Sequence, residues 1–294
     1  MAGGSASAAL AAVLRGAKPF FVIAGPCVLE TESTVLQIAT RLKEIGADLS
    51  IPVVFKASFD KANRQDLTSF RGPGLDDGLK LLQHVKDTTG LPILTDVHET
   101  YQVERVAQVA DIVQIPAYLC RQTDLLVAAA RSGRLVNIKK GQMTAPETML
   151  LAAKKVTRTT GHADVLLTDR GTMFGYGDLV ADPRNIPKLR RDGALVIQDV
   201  THSVQRTGNA DTSGGDREFI PTIARMAAAG AWFASFVHVA IMRAHLVGVD
   251  GLFIETHPEP ARGLSDSTTM FALDALHPLL EELIAIATAS RARR

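Results

Sequence analysis

Eight short apolar runs recur along this chain, and they limit its fold more than any other feature. They are Phe20–Ala24, Pro52–Phe55, Pro92–Thr95, Asp111–Ile115, Leu135–Ile138, Val165–Thr168, Ala194–Ile197 and Leu252–Ile254. None alternates with polar residues, which is how a strand reads when both of its faces are buried in a parallel sheet. The intervening segments have helical spacing. Thr31–Ile45 places Val35, Ile38 and Leu42 on one face, and Leu75–Thr89, Tyr101–Ala110, Thr123–Ser132 and Pro146–Thr159 behave alike. Strand followed by helix, eight times over, predicts an α/β protein folded as a closed (β/α)8 TIM barrel. An open doubly wound sheet is the alternative, but it usually carries a glycine-rich dinucleotide loop after its first strand. Here Gly25-Pro26-Cys27 follows that strand, with no G-x-G-x-x-G.

A barrel of this type commonly needs about 250 residues, so residues 1–294 are read as one domain. The 32 Lys and Arg nearly cancel the 31 Asp and Glu, and no basic stripe invites nucleic acid. Two cysteines, Cys27 and Cys120, make no disulfide framework and favour a reducing, cytoplasmic compartment. Residues 1–18 begin with a stretch rich in Ala, Ser and Gly and are expected to form a flexible terminus. The lack of any acidic residue before Glu30 leaves a short organelle-targeting segment as the alternative.

Polar residues gather where the runs end: Cys27, Lys56, Asp96 with His98, Gln114, Lys139 with Lys140, Asp169 with Arg170, Asp199 with His202, and Glu255 with His257. In a barrel these positions share the C-terminal rim, where barrel enzymes keep their chemistry. Any one of them is compatible with an ordinary solvated loop; eight in register are not. Lys56, Lys61, Arg64, Lys139 and Arg170 make the rim cationic, and no matching set of carboxylates lies nearby in sequence. A phosphorylated or carboxylated substrate would balance them. Cys27, His202, Glu255 and Asp266 offer thiolate, imidazole and carboxylate ligands suited to a divalent metal such as Zn, Fe or Mn. On residue chemistry alone, Cys27 reads equally well as a small buried apolar side chain.

The motifs at these ends are long. Lys56-Ala57-Ser58-Phe59-Asp60-Lys61-Ala62-Asn63-Arg64, Thr95-Asp96-Val97-His98-Glu99, Arg121-Gln122-Thr123-Asp124, Asn137-Ile138-Lys139-Lys140-Gly141-Gln142, Asp169-Arg170-Gly171-Thr172-Met173-Phe174, Asp199-Val200-Thr201-His202 and Phe253-Ile254-Glu255-Thr256-His257-Pro258 closely resemble the 3-deoxy-D-manno-octulosonate 8-phosphate synthase family. The likeness runs from about Pro19 to the C-terminus.

The resemblance implies a transferase of Kdo biosynthesis, serving lipopolysaccharide or cell-wall polysaccharide. Such an enzyme joins phosphoenolpyruvate to D-arabinose 5-phosphate with water and releases phosphate. By position, it implies that Lys139, Arg170 and Arg121 hold the phosphoenolpyruvate phosphate and that Lys56 and Lys61 lie along its carboxylate and near the aldehyde. Asn63 and Arg64 would bind the pentose phosphate, Asp96 the sugar hydroxyls, and Gln114 would line the pocket. Lys61, Asp96, His202 and Cys27 take the catalytic positions. The family has a Cys-containing, metal-dependent branch, and Gly25-Pro26-Cys27-Val28-Leu29-Glu30 is similar to it. This makes Cys27, His202, Glu255 and Asp266 the implied ligands of a divalent metal. It further implies a homotetramer in which Arg64 reaches a neighbour's site. The related 3-deoxy-D-arabino-heptulosonate 7-phosphate synthases take erythrose 4-phosphate and carry a Lys-Pro-Arg-Thr type of motif where this chain has Lys61-Ala62-Asn63-Arg64.

One segment departs from the family. Residues 226–246 form an insertion before the eighth run, free of Asp, Glu, Lys and Arg from Met226 to Met242. A continuous helix from Pro221 to Val247 would be about 40 Å long, so a kink near Gly230 or a projecting end is expected. A membrane span is rejected, because it would strand the eighth run on the far side from the other seven. The insertion reads as extra apolar surface against a neighbouring subunit or as a flaw in the gene's reading. In a second functional reading it disturbs the eighth strand and leaves an inactive barrel that only binds.

Overall fold

The computed structural model describes residues 2–64, 66–161, 164–206, 214–230 and 248–292. Eight strands close the barrel: β1 (Phe21–Gly25), β2 (Val53–Lys56), β3 (Ile93–Asp96), β4 (Ile112–Ile115), β5 (Leu135–Lys139), β6 (Val165–Asp169), β7 (Leu195–Asp199) and β8 (Gly251–His257). All neighbours pair in parallel in sequence order, and β8 pairs back onto β1 from Phe21↔Gly251 to Gly25↔Glu255. The expected (β/α)8 barrel is therefore closed. A two-residue strand, Phe271–Ala272, lies parallel to the end of β8.

The helices begin and end on local signals. Thr31 caps α2 (Glu32–Asp48) by accepting from the Thr34 N–H at 3.3 Å. α3 (Leu75–Thr89) ends on left-handed Gly90, and α6 (Pro146–Thr160) opens on Pro146 and ends on left-handed Gly161. α4 (Gln102–Val109), α5 (Thr123–Arg131) and the short α7 (Asn185–Leu189) complete the ring up to α8 (Ile220–Ala229) and α9 (Leu276–Ala292).

Successive side chains alternate between the two faces of each strand, which splits the core in two. Phe20, Val22 and Ala24 pack outward into the layer between sheet and helices, with Val35, Ile38 and Leu42. Phe21, Ile23, Val54, Leu94, Ile112, Leu135, Leu166, Leu195, Ile197 and Phe253 point inward and fill the lower interior. Two residues further on, the same inward column turns polar: Lys56 after Val54, Asp96 after Leu94, Gln114 after Ile112, Asp199 after Ile197, Glu255 after Phe253. The site is the upper layer of the barrel's own interior.

Residues 1–18, expected from sequence to be a flexible terminus, contain a helix. Ala2–Gly16 form helix α1, and its Ala11 and Leu14 join the inward apolar cluster. Ser7 Oγ donates to Gly133 O at 2.7 Å, and Arg15 pairs with Asp164 at 3.1 Å. A composition rich in Ala and Ser forms this helix because a barrel end offers an apolar surface to cover; burying Leu14 contributes about 2 kcal/mol.

The insertion leaves the barrel intact. α8 stops at Ala229, and Gly230 has a φ of 77°, so no helix continues unbroken from Pro221. Residues 231–247 lie outside the described residues. The Val249 N–H donates to Ala227 O at 3.3 Å, so the described residues on either side of 231–247 lie together. β8 then pairs on both sides, with β1 and β7. The expectation of a disturbed eighth strand, and of a barrel inactive for that reason, is overturned.

Candidate active site

The strand ends open into a cavity of about 630 Å³. Of the residues singled out in the sequence, Lys56, Lys61, Asn63, Arg64, Asp96, Gln114, Lys139, Arg170, His202, Glu255 and Asp266 line it. Cys27 is buried behind this wall with its Sγ 3.3 Å from Asp266 Oδ2. Arg121 is exposed on the loop after β4 and is not part of the cavity wall.

Gly25 brings the ends of β1 and β2 together. A Cβ there would sit 2.0 Å from Lys56 O, so only glycine permits this approach. Lys56 Nζ consequently reaches Cys27 O at 3.0 Å and Glu255 Oε1 at 2.7 Å. Burial alone would raise the Glu255 carboxyl, but Lys56, His202 and Lys61 outweigh it and hold the group at about 2.

Asp266 lies on the loop beyond β8, with φ at 47°, a left-handed conformation that Asp tolerates better than most residues. Cys27, Glu255 and Asp266 offer donor atoms that all lie within 4.8 Å of one another. His202, the fourth ligand expected from sequence, stands beside this group. Its Nδ1 is 2.7 Å from Asp199 Oδ2, which leaves Nε2 facing Glu255 Oε2 at 3.5 Å and Asp266 Oδ2 at 3.4 Å. A carboxylate that fixes the far nitrogen of an imidazole is the usual support for a metal-ligating histidine. Glu255 Oε2 is buried without a hydrogen-bond partner, as an oxygen awaiting a cation would be. Burial, then Asp266 and Glu255, push the Cys27 thiol well up; an ion bound here would reverse that by favouring the thiolate. The four side chains fit a divalent metal.

The cationic rim is partly neutralised within the chain, contrary to the reading from sequence neighbours. Lys56 pairs with Glu255 and Lys139 with Asp199, across sequence separations of 199 and 60 residues. Lys139 Nζ also stands 3.5 Å from the centroid of the Phe253 ring. Burial lowers the Lys139 ammonium, against the pull of Asp199 and Glu255. Burial would lower Lys61 too, but Cys27, Glu255, Asp96 and Asp266 raise it and keep it charged, with Nζ 3.0 Å from Ser58 Oγ.

The unspent positive charge sits on the arginines. Arg170 is buried, its Nη2 donates to Gln205 Oε1 at 2.6 Å, and among the described residues no carboxylate pairs with it. Arg64 has buried Nε and Nη2 atoms without partners, and its Nη1 lies 3.5 Å from Asp266 of its own chain. Asp96 Oδ2 meets His98 Nε2 at 3.0 Å while Oδ1 is unpaired. Burial opposes ionisation of Asp96, yet His98 and the two lysines hold it well below the usual carboxylate range.

Sequence reasoning left four contributors unassigned: Ser58, Asp199, Gln205 and Ser265. Asp199 was at least visible as a strand-end residue. Ser265, 2.9 Å from Cys27 Sγ, carried no signal, because its nearness to Cys27 exists only once the last loop folds back over β1.

A barrel mouth with two under-neutralised arginines beside a Cys/His/Glu/Asp cluster is a specific combination. The profile of the DAHP synthetase I family matches residues 7–289. The chain belongs to the DAHP synthetase I family. Within that family it is similar to the 2-dehydro-3-deoxyphosphooctonate aldolases. It is 48% identical over 287 residues to 2-dehydro-3-deoxyphosphooctonate aldolase 1 of Arabidopsis thaliana, covering 96% of this chain and 93% of that one. The Pisum sativum 2-dehydro-3-deoxyphosphooctonate aldolase is likewise 48% identical, with 96% and 93% covered. That of Syntrophotalea carbinolica is 50% identical over 272 residues, 92% of each chain. Among the described residues, no helix is long and apolar enough to cross a membrane.

Proposed function

We propose that the cavity condenses phosphoenolpyruvate with D-arabinose 5-phosphate and water, yielding 3-deoxy-D-manno-octulosonate 8-phosphate and inorganic phosphate. The observation that carries this reading is the buried guanidinium of Arg170, which among the described residues forms no ion pair with a carboxylate, opening into the same cavity as Lys139 and the Cys/His/Glu/Asp cluster. An arginine so placed is a ready bidentate site for phosphate.

Arg170 and Lys139 take the phosphate of phosphoenolpyruvate, and Lys56 and Lys61 lie along its carboxylate. Asn63 and Arg64 take the pentose phosphate, and the free Oδ1 of Asp96 accepts from a sugar hydroxyl. These clamps hold the enol C3 against the aldehyde carbon in near-attack geometry. The C3–C1 bond forms as the aldehyde oxygen gains the electron pair, and charged Lys61, on the cavity wall, would donate to that oxygen. Water adds at C2, and phosphate leaves with cleavage of its C–O bond. Cys27, His202, Glu255 and Asp266 would hold a divalent ion, which would supply Lewis-acid polarisation when bound. Arg121 lies outside the wall of this chain's own cavity, and a tetramer is proposed only from family likeness.

Phosphate release from phosphoenolpyruvate, measured with arabinose 5-phosphate and with erythrose 4-phosphate, tests the reading. The pentose is expected to be preferred by at least tenfold in kcat/KM. Preference for the tetrose would overturn it.

A further inference from the structure

Lys139 and Lys140 are adjacent, and strand alternation sends them to opposite sides of the end of β5. Lys139 lines the cavity, whereas Lys140 is fully buried behind the wall. Its Nζ sits 2.9 Å from Gly171 O and 3.0 Å from Thr172 Oγ1, both on the loop after β6. It also sits 3.3 Å from Gly141 O and 3.4 Å from Thr144 O, both on the loop after β5. Asp169 Oδ1, at the end of β6, is 3.5 Å away.

Four oxygens from two loops and one strand-end carboxylate thus converge on one ammonium. Filling the space would need only an apolar side chain; ordering two loops against each other needs directional donors. The residues touched on β6's side, Asp169 and Gly171, flank Arg170 on either side in the chain. The residue preceding Lys140 is Lys139. A further bond from the Met173 N–H to Gln142 O at 2.8 Å follows the same seam between the loops.

We infer that Lys140 is a positioning residue for the phosphate site: its ammonium staples the loop after β5 to the loop after β6 and so sets Arg170 relative to Lys139. The inference rests on the reading in which those two residues hold the phosphate of phosphoenolpyruvate. The pentose phosphate, assigned to Asn63 and Arg64 on the loop after β2, is outside the staple's reach. Loss of the staple therefore acts on one substrate and spares the other, which a general loss of packing would not do.

The test is steady-state kinetics of K140M and of K140M/D169N, with circular dichroism to check the fold. The double variant removes both charges together, so it is expected to fold even if a lone buried Asp169 does not tolerate the single change. Either folded variant is expected to raise KM for phosphoenolpyruvate at least tenfold while KM for arabinose 5-phosphate stays within twofold. Binding of inorganic phosphate, followed by calorimetry on the same proteins, is expected to weaken by a similar factor. That arm stands even if the unaltered protein fails to turn over the two sugar-acid precursors, an outcome that would instead sink the proposed function. A phosphoenolpyruvate KM and phosphate affinity within twofold of the unaltered protein would overturn the staple. So would equal rises in both KM values, or failure of both variants to fold.

Discussion

The two ends of the barrel are built from the same eight strands, yet they contain opposite chemistry. At the N-terminal end the inward residues are Phe21, Val54, Leu94, Ile112, Leu135 and Leu195, sealed by Leu14 of α1. At the C-terminal end the same columns present Lys56, Asp96, Gln114, Lys139, Asp199 and Glu255. Two to four residues along a strand separate a layer that stabilises from a layer that reacts. The lower layer gains free energy by leaving water; the upper layer gives some back, since each buried charge must be matched by another. The paired carboxylates Glu255 and Asp199 are what make a buried cationic mouth tolerable.

That contrast can be broken from either side. The largest expected effect is at Glu255. Glu255→Ala removes a proposed metal ligand and leaves Lys56 unpaired, so phosphate release is expected to fall by at least about 10³-fold. Stability is expected to fall by about 3–5 kcal/mol, read from denaturant unfolding. Glu255→Gln separates the two, retaining much of the stability but not the turnover. Next, Arg170→Ala is expected to lower kcat/KM for phosphoenolpyruvate by about 10²–10³-fold with little change in the unfolding midpoint. At the other end, Leu14→Ala is expected to cost about 2–4 kcal/mol of stability while leaving both KM values unchanged. A KM change there would mean that the two layers are not separable.

The smallest and most graded effect is on acidification. Glu255 is depressed from an ordinary value of 4.5 to about 2, and Asp199 and Asp266 are also held low by their cationic neighbours. A depressed carboxyl contributes stability that is fully present above its unfolded value and is lost as pH falls through its folded value. Unfolding free energy of the metal-free protein should therefore be flat above about pH 5 and decline toward pH 2, with a shallower decline in Glu255→Gln. An equal decline in both proteins would remove Glu255 from the account.

Much of this was legible in the sequence, because period and position are local. The eight runs located the strands, and their polar neighbours located the mouth. What was hidden depends on closure. Glu255 and Asp199 could not be matched to Lys56 and Lys139 by proximity in sequence, since the ring of strands is what joins them. Helix α1 read as a loose terminus because Ala and Ser have no strong pattern of their own, and its buried face exists only against a finished barrel end. Arg121 matched a motif, but the loop after β4 carries its side chain into solvent. Lys139 and Lys140 read as one feature until strand alternation sent them to different sides of the wall.

On the proposed function, the upper layer condenses two phosphorylated substrates with the help of an ion that Cys27, His202, Glu255 and Asp266 would hold. The most direct measurement is the rate of phosphate release from phosphoenolpyruvate and arabinose 5-phosphate by protein stripped with chelator and then titrated with a divalent metal, with metal content measured in parallel. The predicted result is negligible release from the stripped protein and recovery that rises in proportion to metal and saturates near one ion per chain. Full turnover at a metal content near zero would contradict it.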